Sequence, residues 1–402
     1  MKTSGLYIHI PFCIRRCGYC DFNTFAGQSH LLPKYINAVC QELDWIGRHQ
    51  GDGVEIDSIY FGGGTPTTLS PGQLGILLDQ AGRTFVIQKD CEISLEANPG
   101  TVSADSISSL KHLGFNRISF GMQSAHPQDL AILDRRHRFA DVLNAVKWSR
   151  QAGFKHINVD LIFGIPGQTV ERWQQNLALV TEMGVDHLSL YSLILEEGTP
   201  LNTWYQHGLL DLIEDDVTAD MYEIAMDQLA LVGFEQYEIS NWARTNAANQ
   251  ESRCWHNLNT WRYHPYFGVG AGAHGFTGDK RTANVIRIPD YIERMENIGV
   301  EWPAAETCTS VSMWEKMQEW MMLGLRVVNE GISKEEFLNR FGEPMEKLFG
   351  AQIQKLISTG LLEIRDTAGE SFRLTRRGIL LGNRVFGEFV GNETPDFLKE
   401  DQ

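Results

Sequence analysis

Between residue 5 and about residue 240 the chain alternates short β-branched or aromatic runs with longer amphipathic stretches, a rhythm that few folds accommodate. GLYIHIP (5–11), IDSIYFGG (56–63), CEISLEAN (91–98), FNRISFG (115–121), HINVDLIFG (156–164) and DHLSLYSL (186–193) read as six strands, each bounded by Gly, Pro or Asn. LPKYINAVCQELDWIGR, PGQLGILLDQAGR, ADSISSLKHLG, FADVLNAVKWSRQAG and TVERWQQNLALVTEMG read as the helices between them, several opened by a capping Ser, Thr or Asp. Such alternation predicts βαβ units, a parallel sheet and right-handed crossovers. Six units are too few to close an eight-stranded barrel. The expected fold class is therefore α/β: an open, partial (β/α)6 barrel over residues 1–240, with ligands at the carboxyl ends of its strands.

The rhythm then fades. From about 216 to 300 we expect one helix, DDVTADMYEIAMDQLALVG, and an aromatic, Gly-rich stretch from Tyr237 to Phe276, with residues 241–300 forming an extension. Periodicity breaks again around Trp302 and Pro303. Over 301–402, VSMWEKMQEWMMLGLRV, KEEFLNRFG and MEKLFGAQIQKLIS read as three helices, followed by two short strands (LLEIR, SFRLT) and a last helix. That order suggests a small winged-helix-like module that covers the barrel. The Met and Trp stripe of its first helix has the spacing of packing rather than of a cofactor site.

The first strand runs straight into CIRRCGYC, where Cys13, Cys17 and Cys20 crowd three thiols into one loop. Thiolates suit iron–sulfur clusters, zinc or copper(I), and a structural zinc would need a second ligand pair at matching spacing. No second CxxC exists in the chain, so three ligands leave one metal coordination site open. The alternative is a disulfide pair and a spare thiol, which a reducing compartment disfavours. Cys40, Cys91 and Cys308 stand singly and are expected to be small buried hydrophobes.

Charge and hydropathy narrow the partners. The net charge of −16 is spread along the chain, so no nucleic-acid partner is expected, a local basic patch remaining compatible with it. No apolar run approaches the roughly 18 residues of a membrane span, and Met1 to His9 lacks the features of a signal peptide. We expect a cytoplasmic protein, at most peripheral at a membrane; a homodimer is compatible with the pattern but not demanded by it.

The C-x3-C-x2-C spacing, followed by an aromatic, resembles the signature of the radical S-adenosylmethionine (SAM) enzymes, in which a [4Fe-4S] cluster keeps one iron free for SAM. FGGGTPT (61–67) adds to this, because its glycines let backbone approach a ligand and free N–H and C=O groups for an amino acid moiety. In order, YIHIPFC, FGGGTPT, SLEANPGT, RISFGMQS, NVDLIFGIPGQT and YEISNWA resemble the oxygen-independent coproporphyrinogen III oxidases (HemN) and the related haem chaperones (HemW) over nearly the whole chain. The resemblance implies a cluster on Cys13, Cys17 and Cys20, and SAM contacts from Tyr7, Tyr19, Gly63, Gly64, Thr65, Glu96, Gln123, Arg135 and Asp160. Those types make chemical sense: Arg135 for the carboxylate, Glu96 or Asp160 for ammonium or ribose hydroxyls, the tyrosines for hydrogen bonding or stacking.

Three departures favour the chaperones over the oxidases. The oxidases carry a further cysteine where this chain has Phe22, and they place the cluster motif after an N-terminal extension, whereas Cys13 is the first cysteine here. CWHNLNTWRY (254–263) resembles the HNxxYW motif of the chaperones, with Thr260 in place of the tyrosine. This resemblance implies haem as cargo and acceptor apoproteins as partners, respiratory and membrane-bound ones among them. His256 offers an imidazole to the iron, Asn257 a support for that ring, and Trp255, Trp261 and Tyr263 a cover for the porphyrin. Cys254, His264 and His274 are alternative contacts. The competing reading is an enzyme: oxidative decarboxylation of a porphyrinogen, or another radical reaction on a porphyrin-like substrate. GAGAHG (270–275) fits the dinucleotide pattern GxGxxG, but without a following helix it is expected to be a packed turn.

Overall fold

The computed structural model describes residues 2–50, 53–245, 252–299, 301–365, 370–391 and 393–395. All six expected strands form: β1 (Lys2–Ile10), β2 (Val54–Gly63), β3 (Val86–Ala97), β4 (Arg117–Gln123), β5 (His156–Phe163) and β6 (His187–Ser192). They pair in parallel and in chain order. The crossovers carry α1 (Leu32–Gln50), α2 (Pro71–Thr84), α3 (Ala104–His112), α4 (Phe139–Ala152) and α5 (Val170–Glu182). Their starts follow from local chemistry. Ser70 and Ser103 close capping boxes on Gln73 and Ser106, and Thr169 accepts from the Arg172 N–H.

The strands have two unlike faces. Leu6, Ile8 and Ile10 of β1, Ile59 and Phe61 of β2, Ile118 and Phe120 of β4, Val159 and Leu161 of β5, and Leu188 and Leu190 of β6 are buried in the core shared with the helices. Burying each such side chain contributes about 1.5–3 kcal/mol. The alternate positions are largely polar, and Tyr60, Ser94, Glu96, Ser119, Asp160 and Ser189 from five strands line one cavity. A sheet whose inner face meets itself across a single cavity is curved, as a partial barrel requires.

The stretch that looked irregular builds both margins of this sheet. After α6 (Asp215–Leu231), the hairpin β7 (Phe234–Glu238) and β8 (Asn241–Arg244) pairs antiparallel to β6 through β8. On the other side, beyond α7 (Trp255–Trp261), β9 (Tyr266–Val269) pairs parallel to β1. β10 (His274–Phe276), β11 (Lys280–Asn284) and β12 (Ala305–Ser310) follow antiparallel, with α8 (Ile288–Glu296) returning to α1. The described sheet has twelve strands in the order β12-β11-β10-β9-β1-β2-β3-β4-β5-β6-β8-β7.

A second core gathers Trp314, Met317, Trp320 and Met321 of α9 (Met313–Gly324) with Phe337 of α10 (Lys334–Phe341) and Phe349 of α11 (Met345–Ser358), so the Met and Trp stripe is packing. The expected strands appear as β14 (Leu362–Ile364) and β15 (Ser371–Leu374), joined by an unexpected β13 (Ile332–Ser333). Of the single cysteines, Cys91 is buried and Cys40 half-buried, but Cys308 is exposed because β12 is an edge strand, contrary to expectation.

Candidate functional site

The cysteine loop leaves β1 at its carboxyl end and is pinned where it returns. Phe12–Cys13 pairs with Phe25–Ala26, and Phe25 N–H donates to the Pro11 carbonyl at 2.7 Å. Outer ties hold the rest: Arg15 pairs with Asp134 at 2.6 Å, and Leu201 N–H donates to the Gly18 carbonyl at 2.9 Å. The three thiols are half-buried and meet different polar groups on one cavity wall. Cys13 Sγ lies 3.5 Å from Thr65 Oγ1, Arg135 Nη1 reaches Cys17 Sγ at 3.5 Å, and Cys20 Sγ lies 4.0 Å from Thr24 Oγ1. Burial pushes the Cys13 and Cys20 thiols up, with neighbouring cysteines adding to it. Among the described residues no three His, Cys, Asp or Glu side chains stand as ligands of a single ion.

Below the thiols the strand ends enclose a cavity of about 380 Å3, within the range of small-ligand sites. Tyr19, Gly63, Gly64, Thr65, Glu96, Gln123, Arg135 and Asp160 all line it with the three cysteines. Glu96 accepts from Tyr60 Oη at 2.8 Å and from Gly63 N–H at 3.2 Å, and burial pushes its carboxyl up to about 7. Asp160 accepts from Asn158 at 2.6 Å and from Ser119 at 3.1 Å, and burial raises it to about 6. Gln123 has a left-handed backbone, φ 66°, and a buried Oε1 with no partner; Arg135 Nε is likewise buried and unmatched. Strained or orphaned polar groups around a cavity are what a polar ligand would complete. The donor set therefore fits a thiolate-bound cluster beside a small zwitterion.

One expectation about this region needs correction. The FGGGTPT backbone does not hold its N–H groups free: Gly63 donates to Glu96, Gly64 to the Ile10 carbonyl and Thr65 to the Phe12 carbonyl. Packing demands the glycines instead. A Cβ on Gly63 would stand 2.3 Å from the His9 ring, and one on Gly64 would stand 2.8 Å from the Ile10 and Phe12 carbonyl oxygens. Tyr7 stands beside the lining residues: its hydroxyl bonds His9 Nδ1 at 3.0 Å, and its ring stacks on Tyr60 at 6.2 Å.

The 252–263 segment plugs the opposite end of the barrel. Cys254 and Asn257 line the floor of the same cavity, but the His256 ring lies behind Tyr60, stacked on it at 5.2 Å. Its Nδ1 partner is Ser58 Oγ at 3.1 Å, not Asn257, and burial lowers its pKa to about 4. Nor do the three aromatics form one platform. Trp255 is partly exposed, Trp261 lies under the Arg326 guanidinium at 4.3 Å, and Tyr263 packs tilted against Phe276 in the second core. Cys254 Sγ donates to Glu92 at 3.4 Å, while His264 and His274 are exposed away from the cavity wall.

What sequence reasoning missed is the clamp on this segment. Glu92 accepts from the Trp255 and His256 N–H groups at 3.1 and 3.0 Å and from Arg117 Nε at 2.8 Å. Arg117 also donates to the carbonyls of Ser252 and Arg253 at 2.9 and 2.6 Å, and Asp57 accepts from the Trp255 indole and the Asn259 amide, both at 3.0 Å. The only signal in the text was that Asp57, Glu92 and Arg117 are charged residues within strand segments.

With this geometry in view, the comparisons with known proteins separate the relatives. A family model described as "Radical SAM superfamily" matches residues 7–180, and one described as "HemN C-terminal domain" matches residues 311–381. The chain is 39% identical over 392 residues to "Heme chaperone HemW" of Bacillus subtilis, covering 97% of this chain and 100% of that one. The chain belongs to the HemW family. A HemW of Mycobacterium tuberculosis is 34% identical over 96% of this chain and 95% of its own length. "Radical S-adenosyl methionine domain-containing protein 1, mitochondrial" of Mus musculus, 33% identical over 89% of this chain and 81% of its own, extends the likeness beyond bacteria. Among solved structures, coproporphyrinogen III oxidase (HemN) of Escherichia coli superposes with a TM-score of 0.82 at 21% identity, covering 97% of this chain and 90% of that one. That match shows the shared radical SAM fold.

Proposed function

We propose that this chain is a haem chaperone: it binds haem and passes it to acceptor apoproteins, with a [4Fe-4S] cluster and SAM as its other bound groups. The observation that carries the reading is the end-to-end match to a protein named for haem chaperoning, 39% identical over 97% of the chain. Cys13, Cys17 and Cys20 would hold the cluster. Arg135 would pair with the SAM carboxylate, and Glu96, Asp160 and Gln123 would accept from its ammonium or hydroxyl groups; Thr65 and Tyr19 complete the wall. When bound and reduced, that pair supplies radical chemistry of the kind an oxidase uses. We assign His256 as the haem ligand and the acceptors to apoproteins reached in the cytoplasm or at a membrane surface. Among the described residues no helix is long and apolar enough to cross a membrane.

The test offers anaerobically reconstituted protein either haem or coproporphyrinogen III, with SAM and a reductant. We expect about one haem retained per chain and no decarboxylated product. Multiple turnovers to protoporphyrinogen would replace the chaperone by an oxidase.

A further inference from the structure

An imidazole that binds haem iron must accept a rigid macrocycle against its free nitrogen, yet His256 is only 7% exposed. The surroundings are built to keep it there. Ser58 Oγ engages Nδ1 at 3.1 Å, Tyr60 covers one face at 5.2 Å, and Gly5 leaves just enough room: a Cβ there would come within 3.3 Å of the ring. The backbone around it is held independently. Glu92 takes two N–H groups, Arg117 takes two carbonyls, and Asp57 takes the side chains of Trp255 and Asn259. Each anchor sits on β2, β3 or β4, so the whole segment is fastened to the inner face of the sheet.

We propose that His256 is stowed: residues 252–259 form a latch closed on the sheet, and haem binds the fraction of molecules in which the latch has lifted and the ring has left Ser58. This rests on the reading that His256 ligates haem. A ligand that binds only a minor form has its apparent affinity reduced by that form's population. The anchors of the closed form therefore weaken haem binding, and removing one strengthens it. A merely structural role gives the opposite sign.

The experiment titrates haem, by absorbance, into full-length, cluster-reconstituted protein carrying Ser58→Ala or Asp57→Asn, beside wild type and His256→Ala. Ser58→Ala and Asp57→Asn are expected to tighten haem binding about threefold to tenfold, the equivalent of one net hydrogen bond lost from the closed form. Amide exchange at Trp255 and His256 should quicken in both. His256→Ala should lose that haem affinity alone and in combination with Ser58→Ala. If His256→Ala binds haem as wild type does, the ligation reading fails and the latch with it. If His256→Ala is defective but Ser58→Ala and Asp57→Asn bind haem no tighter, the latch alone is overturned.

Discussion

The hydroxyl of Tyr60 donates to the carboxylate of Glu96 at 2.8 Å, so a ring that covers His256 is also the hydrogen-bond partner of an acid on the cavity wall. Burial holds Glu96 near 7 and Asp160 near 6, both poised to change charge close to neutrality. In the proposed role these groups face an ammonium, which the ionised carboxylate binds more strongly than the neutral acid does. SAM affinity is thus expected to fall about tenfold between pH 8 and pH 6, the change in ionised fraction of one group titrating near 7. Equilibrium binding at the two pH values, with iron retention checked in each, measures it. Glu96→Gln should flatten the profile, and a flat wild-type profile would remove Glu96 from the SAM site.

Loss of any one thiol should empty the cluster site. Cys17→Ser, reconstituted anaerobically, is expected to lose the four-iron absorption band, because Cys13, Cys17 and Cys20 are the three thiols of the loop and each is needed as a ligand. A Cys17→Ser protein with the full band and iron content of wild type would contradict the ligand set.

The Gly63 position should tolerate no side chain. Its φ is +106°, and an added methyl would meet His9. Strained backbone and overpacking together predict a loss of roughly 2–5 kcal/mol for Gly63→Ala. Gly82 on α2 has nothing within 4 Å of the same atom, so Gly82→Ala should be neutral or gain up to about 1 kcal/mol. Denaturant midpoints of the two variants compare them directly, and equal effects would refute the packing argument.

Glu42 supplies a pH signature of the core. It accepts from Gly270 N–H at 2.8 Å, Tyr291 at 2.5 Å and Asn284 at 2.7 Å, yet burial still raises its pKa from 4.5 to about 7. The folded state then holds more protons than the unfolded state between pH 4.5 and 7, and stability falls as pH rises through that window. Full linkage is worth about 3 kcal/mol. His137, His156 and His256, lowered to about 4, slope the other way, so the difference between wild type and Glu42→Gln is the quantity to read. Chemical denaturation of both proteins from pH 5 to 8 supplies it. Parallel stability curves would mean that Glu42 does not titrate in this range.

The six parallel strands, the C-terminal helices and the three cysteines were legible because each is written locally, in a two-residue alternation, a helical stripe or a short spacing. β7 to β12 were not, since strands of three to six residues with polar alternation resemble loops until a neighbour pairs with them. The same holds for the floor of the cavity. Arg117 and Ser252 are 135 residues apart, and Ser58 and His256 are 198 apart, distances at which no local pattern records a hydrogen bond. The GGG turn was found for a reason that the fold revises: its glycines answer to His9 and to the carbonyls of Ile10 and Phe12. GAGAHG proved to be a packed turn, with Gly270 held by Glu42 and Ala271 by Tyr35.

The pairing of β1 with β9 also bears on how the chain is made. β1 is flanked by β2 on one side and by residues 266–269 on the other. At a translation rate of about 5–20 residues per second, the ribosome needs roughly 13–50 s to deliver that second neighbour after β1 has been synthesised. During this interval the cysteine loop hangs from a strand with one open edge, and the histidine segment that will close the floor does not yet exist. The thiols at the end of β1 and the segment that closes the floor are thus made at different times, and the cysteine loop meets solvent before the wall that will shelter it has been synthesised.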